Sequence, residues 1–412
     1  MRGLKSQNRR VWAGIGAAVS LTLATGGSAV AATKVPAPAA TWQAKTTTPK
    51  LAATTDKNVD AGSKLTVTPG TLIAATFSSK TYLAAGRKVD LQSSTDGKTW
   101  KTVETKTMDA KGGVTFATIP NNGVTYKAVA QAYTYKASGK SQTAPAATSV
   151  TGSIADNWKF EFIDDFGNSK TTKNQWVAST GVFGAKRGRL CSADYATNGS
   201  VSDGTLKMKV SKAPAKVAKE AEQNALAKQA ETGIDEVGCP FGVFYNASWK
   251  TYYVMQYGIV AARIKMSKDQ GSHGSFWLYT NTDYEIDVVE SYGYGAGLTT
   301  GTWIQGKQNF GTMSKGERTI PDQTKDPKWW DEYHIYSVEW NPKGYTFRID
   351  GVVTNTITAK VPKQDYRIFL TNYSSDWEVN RMTAPKDWNG KGAKPAQLPT
   401  TMTVDWVQAW TK

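Results

Sequence analysis

The chain has 412 residues with 50 Lys and Arg against 34 Asp and Glu, a formal net charge of +16. Its 40% hydrophobic content, 15 Trp, 18 Tyr and 37 Gly exclude a disordered chain and suit β-sandwiches with tight turns and sugar-stacking surfaces. The length calls for two or three domains, and the positive balance fits an anionic polymer or envelope surface as well as it fits dispersed surface charge.

Arg2, Lys5, Arg9 and Arg10 precede a stretch from Val11 to Val30 rich in Ala, Gly, Leu and Val, and the small residues Ala29 and Ala31 flank Val30. This is the layout of an export signal spanning residues 1–32, cleaved near Ala31 or Ala32, and Arg9-Arg10 leaves the Sec and twin-arginine routes both open. A membrane anchor is the alternative, but Ser, Thr and Gly interrupt the apolar run. Export leads us to expect a secreted, extracellular protein, monomeric, with a polysaccharide or an anionic cell-envelope surface as partner and no nucleic acid.

Residues 33–55 are Ala, Thr, Pro and Lys without hydrophobic periodicity, the composition of a solvated linker. From residue 56 to 150 short strands alternate. Lys88 to Gln92 carries the polar/apolar pattern, Asp96-Gly97 marks a hairpin turn, and Trp100 to Met108 continues in register. Val114 to Ile119 and Thr125 to Tyr133 follow at intervals of about ten residues. The expected unit is a small immunoglobulin-like or fibronectin-like β-sandwich acting as a spacer, with glycan or cell-surface binding as the alternative. The Ala, Thr and Ser stretch from Ala144 to Ser153 is its boundary, and residues 154–412 form the second domain, expected to fold and act without the first.

Two cysteines, Cys191 and Cys239, are expected to form a disulfide in an oxidising compartment. Two cysteines, with His273 and His334 far apart in sequence, make a poor metal site. Between them, Ala213 to Thr232 is rich in Ala, Lys, Glu and Gln and predicts a surface helix, with a cleft wall as the alternative.

The chemistry is concentrated in SFWLYTNTDYEIDVVESY, Ser275 to Tyr292, where Asp283 closes a turn and Glu285, Asp287 and Glu290 follow on a strand. Alternation puts Glu285 and Asp287 on one face, and a bulge at Val288-Val289 returns Glu290 to it. The outer two Cα atoms then stand roughly 13 Å apart, close enough for two Glu side chains to approach the ~5 to 5.5 Å of a retaining carboxyl pair. Close like charges drive one pKa upward, leaving one acid protonated beside one ionised. Three acids on a solvent face would explain the alternation, but not their setting among Trp277, Tyr279, Tyr284 and Tyr292.

Glu285-Ile286-Asp287-Val288-Val289-Glu290 resembles the E-x-D-x-x-E signature of glycoside hydrolase family 16, in its laminarinase-like group with a β-bulge. FIDDF at Phe162 to Phe166, VSDGTLKMKV at Val201 to Val210, YGIVAARIKM at Tyr257 to Met266, EYHIYSVEW at Glu332 to Trp340, Ile349-Asp350-Gly351 and VDWVQAW at Val404 to Trp410 follow the order of that family's landmarks. The resemblance covers about Trp158 to Lys412. It implies an all-β, concanavalin-like jelly roll with a sugar cleft across its concave face. It also implies Glu285 as nucleophile, Asp287 as assistant, Glu290 as general acid/base and Trp277 as a cleft tryptophan; Tyr292, from its place beside the acids, and Trp303, Asn372 and Trp377, each of which could equally be core, are further substrate-binding candidates. No cofactor is implied, though some members hold a structural calcium on the convex side, to which Asp405 is the candidate contributor.

The expected activity is a secreted, retaining endo-glycosidase on a β-linked polysaccharide, with β-1,3-glucan the first substrate and an agarose- or carrageenan-type galactan the second. An envelope-remodelling transglycosylase and a non-catalytic lectin-like protein are the other readings. His273-Gly274-Ser275 stands where many β-1,3-glucanases of the family have Trp-Pro before Phe-Trp, and Gly301-Thr302-Trp303 stands where they tend to carry a His. Both departures bear on the sugar rather than on the acids.

Overall fold

The computed structural model describes residues 63–77, 85–154, 158–181, 183, 191–232, 238–239, 242–269, 272–282, 284–291, 298–304, 307–309, 328–374 and 399–412. The expected export signal and linker lie outside them, as do Asp283, Tyr292 and Trp377. Among the described residues no helix is long and apolar enough to cross a membrane.

Two small antiparallel sheets enclose the core of the N-terminal unit, with a separate two-stranded hairpin beside them. Lys64–Thr66, Ile73–Thr76 and Gly113–Phe116 form one; Gly152–Ser153, Thr125–Ala130, Lys88–Ser94 and Lys101–Thr107 form the other. Alternate residues of both sheets, among them Leu65, Ile73, Val89, Leu91, Phe116 and Tyr126, close a core of their own. The Asp96-Gly97 turn forms as expected, with Asp96 Oδ1 accepting from the Lys98 and Thr99 amides at 2.8 and 2.7 Å. The expected strand from Thr125 to Tyr133 is instead two. It stops at Ala130, where the Arg87 guanidinium takes the Ala130 and Gln131 carbonyls, and Tyr133–Ala137 pairs separately with Lys140–Ala144.

The remainder is an all-β jelly roll. Phe244–Met255, Tyr366–Ser374, Ser272–Tyr279, Tyr284–Ser291 and Leu298–Ile304 make one layer; Thr205–Lys212, Thr400–Thr411, Gly258–Lys265, His334–Asn341, Gly344–Ile349 and Val352–Thr358 make the other. Thr205–Lys212 pairs with both Thr400–Thr411 and Phe244–Met255, which joins the two layers. Between them lies one apolar core, with Phe276, Leu278, Ile286, Ile368 and Leu370 from the first layer meeting Val260, Ala262, Ile264, Val338 and Val404 from the second. The predicted helix forms at Ala215–Thr232, and the Cys191–Cys239 disulfide is present. Ala221 and Ala225 of the helix pack on both cysteines, while Glu222 and Gln229 accept from the Cys239 and Gly238 amides.

The N-terminal unit packs against the jelly roll. On the second layer Ile259, Ala261, Ile335, Trp406 and Trp410 point away from the inter-sheet core, yet each is at most 2% exposed. Leu72 and Ile119 of the N-terminal unit, with Trp158 and Phe160, cover them. The approach is close: Gly70, at φ +68°, leaves only 2.9 Å between the place of a Cβ and Ile259 Cγ2.

Candidate active site

Strand pairing decides which side chains meet. Tyr279 is opposite Glu285 and Trp277 opposite Asp287, after which Phe276 is opposite Val289 and Ser275 opposite Glu290, so Val288 has no counterpart. On the far side Trp303, Gly301 and Thr299 are opposite Glu285, Asp287 and Glu290. Val288 and Val289 both turn into the inter-sheet core, and this bulge brings the three acids onto the face away from it, as the spacing requires.

Glu285 and Asp287 are buried, and Glu290 is half-buried. Burial, then the neighbouring charges of Glu285 and Glu290, hold the Asp287 carboxyl well above the usual carboxylate range, and it shares a hydrogen bond with Glu285. Glu290 is gripped from both neighbouring strands: His273 Nε2 lies 2.8 Å from its Oε1, and Thr299 Oγ1 donates to its Oε2 at 3.1 Å. One carboxyl is desolvated and hydrogen-bonded to its neighbour, and another is oriented by His273 and Thr299. Such a set can separate a nucleophile from an acid.

An aromatic wall stands beside the row. Trp277 stacks on Phe369 with ring centroids 4.5 Å apart and donates its Nε1 hydrogen to Thr371 Oγ1 at 3.2 Å, while Tyr279 meets Phe369 edge-on. Trp303, half-buried and opposite Glu285, is on the same face. Asn372 is a correction. Its strand position pairs with Gly274, one residue out of phase with Ser275 and Trp277, so its side chain enters the inter-sheet region and donates to the Met208 carbonyl at 2.9 Å. Wholly buried there, it ties the layers together and does not face the acids. Tyr292 and Trp377 lie outside the described residues. His273 was legible only as a departure from a pattern, although counting back by twos from Trp277 puts it on the acid face.

On the opposite side of the molecule Asp405, the candidate calcium contributor, is buried against the Arg263 guanidinium, which supplies the positive charge at that carboxylate. Among the described residues no group of three or more His, Cys, Asp or Glu is placed to hold a metal. His334 Nδ1 lies 2.7 Å from buried Asp350, a structural pair.

The family model described as "Glycosyl hydrolases family 16" matches residues 196–408. The chain belongs to glycosyl hydrolase family 16. The Crh-like protein CRH11 of Candida albicans is 27% identical over 169 residues, 39% of this chain and 35% of that protein. The beta-glucanase of Paenibacillus macerans is 23% identical over 172 residues, 41% of this chain and 65% of that protein. This chain thus spans about a third of the first relative and just under two thirds of the second. Among solved structures, the laminarinase catalytic domain of Thermotoga maritima is 17% identical with a TM-score of 0.45, covering 62% of this chain and 99% of that one. The family 16 match spans the bulged strand, the aromatic wall and most of both layers.

Proposed function

We propose that the protein is an exported, retaining endo-glycosidase that cleaves a β-linked glucan, with β-1,3-glucan its first substrate. The observation that carries this reading is the row of three carboxyls on one face of a bulged strand, the middle one buried and held well above the usual carboxylate range by its desolvation and its neighbours. Family 16 membership and the beta-glucanase relatives support the substrate class.

In this mechanism Glu285 attacks the anomeric carbon while Glu290 gives its proton to the departing glycosidic oxygen, so one C–O bond forms as another breaks. Asp287 shares its proton with Glu285 and moderates the charge of the nucleophile between the two steps. Glu290, now a carboxylate, takes a proton from the water that releases the sugar with its configuration retained. An acceptor sugar in place of that water gives transglycosylation, which appears as products longer than the substrate; a polysaccharide panel read by product mass separates the two and distinguishes glucan from galactan.

The test of the roles uses an activated aryl β-glycoside and azide. Glu285→Gly and Glu290→Gly should both be nearly inactive on polysaccharide. The Glu290 variant still forms the glycosyl-enzyme and should yield the β-glycosyl azide, whereas azide filling the cavity of the Glu285 variant should yield the α-product. The same anomer from both, or inverted sugar from the wild type, would remove the assignment.

A further inference from the structure

The residues around the proposed acid/base form an enclosure with one conspicuous member. Thr299 and Ser275 face Glu290 from the strands on either side, Asp287 and Glu285 share its strand, and Tyr373 is opposite His273 on the next strand. Lys250 and Arg367 stand farther along the same face, opposite Phe369 and Tyr279. Of these groups His273 and Thr299 hydrogen-bond the Glu290 carboxyl, and of the two His273 alone can carry a positive charge or change tautomer. His273 is itself 9% exposed, so its ring is held by its surroundings rather than swinging in solvent.

We propose that His273 is the positioning residue of Glu290, holding Oε1 through Nε2 while Thr299 holds Oε2, so that the carboxyl plane is fixed toward the scissile bond and its anionic form is stabilised once its proton has left. The inference rests on Glu290 being the acid/base. When the glycosidic oxygen takes the Glu290 proton, the new carboxylate accepts from the Nε2 hydrogen of His273, which stays on the ring. When water is then deprotonated, the proton returns to Glu290 and no net transfer to His273 occurs. The position that sets this chain apart from the Trp-Pro pattern thereby acquires a role beside the reacting bond.

The experiment compares His273→Ala and His273→Gln with wild type in the full chain, using laminarin and 2,4-dinitrophenyl β-laminaribioside. Gln can place an amide N–H near the position of Nε2, whereas Ala cannot. For Ala, kcat on laminarin should fall about ten- to hundredfold, the range expected from losing a hydrogen bond to a charged group, with KM nearly unchanged. The alkaline limb of its pH profile should move upward, since a carboxyl without its donor holds its proton more tightly. The dinitrophenyl glycoside needs little acid help to leave, so with azide present its cleavage should stay within about threefold of wild type. Gln should recover most of the laminarin rate and the position of the limb. Unchanged kcat and an unmoved limb would overturn the proposal, as would an equal loss on both substrates that Gln fails to restore. The azide anomer from Glu290→Gly separates the layers: the wrong anomer removes the acid/base assignment, while the right anomer with wild-type-like His273 variants removes only the role given to His273.

Discussion

Removing the N-terminal unit, leaving Ile154 to Lys412, should cost the jelly roll a measurable part of its stability. The fragment uncovers Ile259, Ala261, Ile335, Trp406 and Trp410, each at most 2% exposed in the whole chain. Trp158 and Phe160 stay behind and keep part of the cover. Fully burying a large apolar side chain stabilises by about 1.5 to 3 kcal/mol, so half-uncovering the four large ones costs about 3 to 6 kcal/mol. For a domain of this size that is a drop of roughly 10 to 20 °C in Tm. Calorimetric melts of the fragment and the full chain at one pH and ionic strength measure it, and an apolar dye should bind the fragment more strongly. A cycle refines the reading: Ile259→Ala should destabilise the full chain more than it does the fragment, because only the full chain has Leu72 and Ile119 over it. A fragment that melts within about 2 °C of the full chain, with no gain in dye binding, would refute the shared layer and restore the spacer.

Asp287→Asn keeps the neutral shape of a carboxyl held above its usual range. Because the folded pKa exceeds the unfolded one, Asp287 supports the fold most below the unfolded value and progressively less as pH rises toward the folded value. The variant should therefore melt no lower than wild type at pH 7 while losing about 10- to 100-fold in kcat; a lower melting point would mean that the acid is not held protonated. Burial raises Asp164 from 3.8 to about 6, despite hydrogen bonds from the Phe166 amide, Thr172 and Trp176. Its contribution is full below pH ~4 and is lost as pH rises through about 6, about 3 kcal/mol in all, and Asp164→Asn should flatten that part of a denaturant-midpoint profile. Cys191→Ser opens a loop of sequence separation 48 and should lower stability by about 4 kcal/mol, leaving the response of the Glu290 variant to azide intact. An oxidised wild type should show no titratable thiol.

The acids were legible because period-two alternation and one odd spacing demand a bulge, and the register supplies it between Asp287 and Glu290. The Ala215–Thr232 helix was legible from local propensity, and the disulfide from an even pair of cysteines. What lay hidden depends on neighbours distant in the chain. Asn372 looked sugar-facing until its register against Gly274 placed it one step out of phase. His273 is 17 residues from Glu290 and meets it only because two strands pair antiparallel. The cover over Trp406 and Trp410 was invisible because a strand apolar on both faces reads the same whether its second face meets a sheet or another unit. The strand expected through Tyr133 failed for the opposite reason: the alternation continued in sequence, but from Tyr133 the chain pairs with Lys140–Ala144 instead, a partner that alternation alone does not name.

The bulge makes the acidic strand unequally sensitive to changes in its length. Deleting Val289 would leave Glu290 four positions after Glu285, an even interval, and unbroken alternation would keep all three carboxyls on one side with the outer two still about 13 Å apart at Cα. Deleting both valines would make the interval odd and turn that carboxylate toward Phe276 and Leu278, into the apolar layer. Parity, rather than the number of residues lost, decides whether the strand remains an array of acids or becomes a buried charge that the fold must expel.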